Sequence, residues 1–142
     1  MRAMKYGESR YQDPICLADE WYEDYRYIIL NLGTHPTAYV VLEENNKLFG
    51  KGYDELGCIS VHGGLTYSEN FLTKEQYINH DNLYYVRDKW VLGWDYAHAY
   101  DYTGYYSHVE QVALSREFRK WKTSEIVEEC KNVIRQLKEF EK

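Results

Sequence analysis

The chain has no C-x-x-C pair, no run of more than two basic residues and no G-x-S-x-G, and it lacks a run of the roughly 18 apolar residues that a membrane helix needs. Its three cysteines, Cys16, Cys58 and Cys130, are odd in number and widely spaced. That pattern excludes a disulfide framework and a thiolate zinc site, and it predicts a reducing compartment. Met1 to Arg10 carries charges but no apolar signal-peptide core, so the expectation is a cytoplasmic protein with no membrane contact. A net charge of −6 with no basic run argues against binding to a DNA backbone. A small anion stays open as a ligand, because a local cation pair, backbone N–H groups or a metal ion can neutralise one phosphate inside an acidic protein. Without a nucleophile elbow, serine-hydrolase chemistry has no support.

Aromatic residues are what the chain has in excess. Tyr occurs 16 times and Trp and Phe four times each in 142 residues, giving 17% aromatic content. A core built from them is one of rings with polar ends, and the length suits a single domain over residues 1–142. The expected fold class is α+β, a mainly antiparallel sheet covered by a C-terminal amphipathic helix. Residues 1–15 are expected to be irregular. Trp21 to Leu32 reads as one strand, and Pro36 to Glu43 as a second that turns at Glu44–Lys47 towards Leu48–Phe49. Cys58 to His62 alternates apolar and polar and reads as a third. Glu69 to Asn82 reads as a long loop, and Tyr84 to Trp94 as a further strand. From Thr123 as expected N-cap, Ile126, Val127, Cys130, Val133, Ile134, Leu137 and Phe140 recur at helical spacing, predicting a helix over 123–141. Covering the sheet is its expected role; pairing with a second copy in a homodimer is the alternative.

Two polar clusters interrupt the apolar pattern, Val61 to Ser68 and Trp94 to Tyr102. Asp95, His98 and Asp101 are spaced by three, which places them on one face of a helical turn. An imidazole between carboxylates suits a divalent metal or general acid and base work, with His62 as a fourth member. The competing structural role is equally concrete: aspartates cap turns, and His98 is then an ordinary histidine. Gly63 and Gly64 allow backbone amides to approach an anion, with Thr66 and Ser68 adding hydroxyls, or they simply bend the chain. Tyr67, Tyr96 and Tyr100 could stack on a nucleobase, although tyrosines are also good strand formers. Arg116 and Arg119, beside Lys120 and Trp121, are candidate phosphate contacts or a solvated basic face. Strand alternation sends His62 and Asp95 away from their apolar neighbours, so a shared pocket holding His62, Asp95, His98 and Asp101 is expected.

The order of these blocks resembles a family of small phage and prophage proteins that carry H-G-G-L-T-Y and G-[FW]-D-x-A-H-x-x-D motifs. They map here onto His62 to Tyr67 and Gly93 to Asp101, and the likeness spans about residues 34 to 140. The chain departs from the pattern at Tyr100, where the family has glycine. The resemblance implies a viral origin and a cytoplasmic setting in an infected bacterium, and it brings no mechanism. Three functions follow as expectations: a counter-defence protein binding a small nucleotide-derived signal, a metal-assisted or histidine-dependent phosphodiesterase using the same residues, or an inhibitor that meets a host defence protein through an acidic, tyrosine-rich surface.

Overall fold

A computed structural model describes residues 15–31, 35–74, 84–97 and 121–141. Five strands form one antiparallel sheet: β1 (Ile15–Tyr22), β2 (Tyr25–Asn31), β3 (Pro36–Leu42), β4 (Tyr67–Thr73) and β5 (Tyr84–Asp95). Their spatial order is β1-β2-β3-β5-β4. Among the described residues there is one α-helix, α1 (Thr123–Phe140), and it lies on one face of the sheet. The α+β class, with an antiparallel sheet covered by the last helix, is therefore what the chain adopts.

The middle strands β2, β3 and β5 are buried on both faces, which explains why Tyr-Ile-Ile-Leu, Ala-Tyr-Val-Val-Leu and Val-Leu-Gly-Trp are continuous apolar runs rather than alternating ones. Tyr27, Ile29, Ala38, Val40, Leu42, Leu92 and Trp94 face the helix, where they meet Ile126, Cys130, Val133, Ile134 and Leu137. Burying each of those aliphatic side chains contributes about 1.5–3 kcal/mol before conformational entropy is subtracted. The apolar stripe of α1 is thus spent on the chain's own sheet. Ile28, Leu30, Tyr39, Val41 and Val91 point the other way and pack with Leu72 and Val86 of the β4–β5 hairpin. The outer half of that hairpin folds back over the sheet. Register breaks at Glu69/Phe71 and Leu72/Thr73 bend it, Asp88 takes a left-handed φ of 60°, and Arg26 of β2 donates from Nη1 to the Tyr85 carbonyl at 2.9 Å.

Five expectations change. The segment expected as one strand from Trp21 is broken after Tyr22, where β1 ends and β2 follows at Tyr25, because Glu23 and Asp24 adopt left-handed φ values of 50° and 69° and close a tight hairpin without glycine, asparagine or proline. Leu48–Phe49 lies in consecutive turns instead of a returning strand, followed by a 3₁₀ turn at Tyr53–Glu55. Glu69 to Thr73, expected as the start of a long loop, belongs to β4. Cys58 to His62 does alternate, with Ile59 buried and Cys58 and Ser60 exposed, yet it is not in the sheet. Its backbone groups go to the helix instead. Gln136 accepts from Ser60 N at 2.8 Å and donates to Ser60 O at 2.7 Å, and Glu129 accepts from His62 N at 2.6 Å. At the start of α1 the cap residue is Lys122 instead of Thr123, and Glu125 reaches back to the Lys122 amide at 3.0 Å.

Candidate functional site

Val61 to Gly64 is a turn closed by Gly64 N donating to Val61 O at 2.9 Å. Gly63 and Gly64 follow each other at φ of 70° and 80°, a conformation that residues with a Cβ adopt only under strain. The turn carries the chain from the helix side, where Val61 and Leu65 pack on the core, to the sheet edge. There Thr66 N donates to Gly93 O at 2.9 Å, and Tyr67 pairs with Gly93 as β4 begins. Because the Gly64 amide is committed to the turn, Gly63–Gly64 cannot present two amides to an anion in this conformation.

Gly93 faces Tyr39 on one side and Tyr67 on the other. A Cβ there would stand 2.6 Å from Tyr39 Cδ1 and 3.1 Å from Tyr67 Cβ, so the glycine in the strand marks the close approach of a buried ring. The two tyrosines meet edge to face with centroids 5.4 Å apart. Tyr67 donates its hydroxyl to the Phe71 carbonyl at 2.6 Å, which turns it inward rather than towards a ligand. Beside this pair stands Asp95. Its Oδ2 accepts from Thr66 Oγ1 at 3.2 Å and its Oδ1 from Ala97 N at 3.1 Å, so the turn-capping role is real for this residue. Asp95 also pairs across the ladder with Thr37. Thr37 is 5% exposed, and its buried hydroxyl forms no well-aligned hydrogen bond, although the Tyr39 phenol lies next to it. Burial pushes the Tyr39 hydroxyl above the ordinary phenol range, opposed by the neighbouring Thr37 hydroxyl and reinforced by the Asp95 charge. Thr37, Tyr39, Thr66 and Asp95 thus form a polar group at one end of the sheet.

His62 lies on the other side. Its ring stacks on Tyr96 at 5.1 Å with an interplanar angle of 8°, and Trp121 leans on both rings at 4.8 Å. Tyr96 is fully buried and its hydroxyl accepts from Trp94 Nε1 at 3.0 Å, so it is a core ring and offers no face for a base to stack on. Trp94 and Tyr96 face the helix; Asp95, between them, must face away. Of the four residues expected to share a pocket, the two that are described lie apart, His62 on the helix side of the sheet and Asp95 on the opposite side. The alternation argument failed for His62 because its segment is not a strand of this sheet.

His98, Tyr100, Asp101, Arg116 and Arg119 lie outside the described residues, as do two of the three expected metal ligands. Among the described residues no group of three histidine, cysteine, aspartate or glutamate side chains is placed to hold a metal ion. No helix among them is long and apolar enough to cross a membrane. A cavity of about 260 Å³ sits at the far end of the sheet, by Tyr25, Glu43 and Asn46. There Tyr25 donates to Glu141 and accepts from Asn46, and Lys138 lies 3.8 Å from Glu23. Of the residues now at the site, Thr37 and Tyr39 escaped the sequence reading. The available signal was Gly93: a glycine in a central strand asks what fills its space, and the cross-strand partner answers.

No protein-family model, no curated protein and no solved structure matches this chain.

Proposed function

We propose that the protein binds a small nucleotide-derived signal without converting it, in the counter-defence setting that the phage resemblance suggests. The observation that carries this reading is the division of the candidate residues by the sheet. An acid–base pair must reach one reacting group, and His62 and Asp95 open on different faces. What supports binding is the polar group of Asp95, Thr66, Tyr39 and Thr37, a carboxylate among hydroxyls, which is the chemistry that recognises ribose hydroxyls. A buried hydroxyl lacking a good partner, such as that of Thr37, marks a place where a water or ligand atom completes the network.

The test is retention from a nucleotide panel. Purified protein is mixed with the panel, washed and heat-denatured, and both the wash and the released fraction are analysed by mass spectrometry. Release of an intact nucleotide is expected, with retention reduced by Asp95→Asn and Thr66→Val and kept by His62→Gln. Retention of nothing removes the proposal, and recovery of a cleaved product replaces it with the phosphodiesterase reading.

A further inference from the structure

Among the described residues, three of the five exposed large apolar side chains lie on one eight-residue strand: Ile15, Leu17 and Trp21, which are 61%, 38% and 64% exposed. That strand, β1, is an edge of the sheet and pairs only with β2 among the described residues. Edge strands in soluble proteins are usually blunted by lysine, proline, bulges or charge. β1 contains neither lysine nor proline, and its bulge between Cys16 and Ala18 leaves Ala18 to Tyr22 regular.

The charges along it decide which partner fits. Asp19 is neutralised by a two-pronged bond from Arg26 at 2.8 and 2.7 Å. Glu20 accepts only a neutral hydroxyl, from Tyr27 at 2.9 Å, and keeps its charge at the centre of the regular stretch. Glu23 and Asp24 follow in the turn. Two copies pairing antiparallel are related by an axis normal to the sheet, so each residue meets a residue of its own face and the pairing is centred on a residue. Centred on Asp19 or Glu20, each of these meets its own copy. Centred on Trp21, Asp19 meets Glu23; centred on Tyr22, Glu20 meets Asp24. Directly opposed like charges are destabilising, which blocks the registers centred on Glu20 and Tyr22; in those centred on Asp19 and Trp21 the opposed carboxylates are already paired with Arg26 and Lys138, and Glu20 meets Ala18 or Tyr22, so no register of a second copy places a cation opposite Glu20. An incoming strand with a cation opposite Glu20 and an apolar or cationic side chain beside Trp21 meets no such conflict.

We infer that β1 is a docking edge for an extended, basic segment of another protein, which adds a sixth strand beside Glu20 and Trp21. The surface is independent of the ligand site, so either proposal can fail alone. The probe is a fluorescein-labelled peptide of alternating lysine and valine, about nine residues long, the length of a typical added strand. Binding to the full chain is read by anisotropy. Three controls accompany it: the same peptide with alternate backbone amides N-methylated, a version with glutamate for lysine, and sedimentation of the protein alone. Saturable binding of the lysine peptide is expected, lost on N-methylation and absent for the glutamate peptide. Glu20→Lys should weaken it about tenfold and Glu20→Gln, which can still accept from Tyr27, about threefold. Trp21→Ser should weaken it while leaving the melting temperature within about 2 °C, as an exposed substitution does. Equal binding of the N-methylated or glutamate peptide, or no binding at all, overturns the proposal. Self-association abolished by Trp21→Ser also overturns it and assigns the edge to a second copy.

Discussion

Replacing Gly93 by alanine isolates the contact on which the candidate site is built. The added methyl would lie 2.6 Å from Cδ1 and 2.8 Å from Cε1 of Tyr39, and 3.1 Å from Cβ of Tyr67. Tyr39 is 7% exposed, between β2 and β5, so its ring has no solvent to retreat into. Overpacking of this kind costs about 1–3 kcal/mol. For a domain of this size that lowers the melting temperature by roughly 3–10 °C. Gly57→Ala is the matched control, since a Cβ there meets nothing within 4 Å. Circular dichroism melts of both variants provide the measurement, and Tyr39→Leu tests the cause. If the ring is the obstacle, the double variant Gly93→Ala/Tyr39→Leu should lose at least about 1 kcal/mol less than the sum of its two single losses. A neutral Gly93→Ala, or strictly additive losses, would refute the close approach of Tyr39 as the reason for glycine. The same variant should weaken any ligand that depends on the Tyr39 hydroxyl, because the ring must move for the chain to fold.

Other consequences can be measured directly. Cys16 and Cys58 are exposed, whereas burial pushes the Cys130 thiol far above its ordinary range; two thiols should therefore react promptly with Ellman's reagent in the native protein and the third only on unfolding. Gln136→Ala removes both bonds to Ser60 and should cost about 1–2 kcal/mol, with faster hydrogen exchange at the Ser60 amide; unchanged exchange would contradict the clasp. Tyr27 is raised to about 12, by burial first and then by its bond to Glu20. Because the folded value exceeds that of an unfolded phenol, near 10, the stabilisation is complete below pH 10 and is lost as pH rises towards 12. Absorbance at the phenolate band should then show Tyr27 titrating late in the wild type, and a single simple transition near pH 10 for every tyrosine would refute it.

The helix was readable because its signal is periodic and local: Ile126, Cys130, Val133, Ile134 and Leu137 follow the helical repeat and are all buried. β3 and β5 were readable from their apolar runs. The β1–β2 turn was not, since Glu23 and Asp24 are not residues that announce a left-handed turn. Pairing with β2 and the ion pair of Asp19 with Arg26 support that turn from outside it. Cys58 to His62 misled because alternation reports which side chains are buried and says nothing of what receives the backbone hydrogen bonds. Here the receivers, Gln136 and Glu129, stand about seventy residues away and sit two turns apart on α1.

By itself, then, the sequence determined the class of fold, the helix and its buried stripe, and the strands β3 and β5, because these depend on composition and local periodicity. The tertiary structure alone decided that His62 belongs to the helix side with Tyr96 and Trp121, that Asp95 joins Thr66 and Tyr39 on the opposite side, and that β1 is left as an edge. Each of those outcomes depends on which distant segment supplies a partner, and no local pattern encodes that choice.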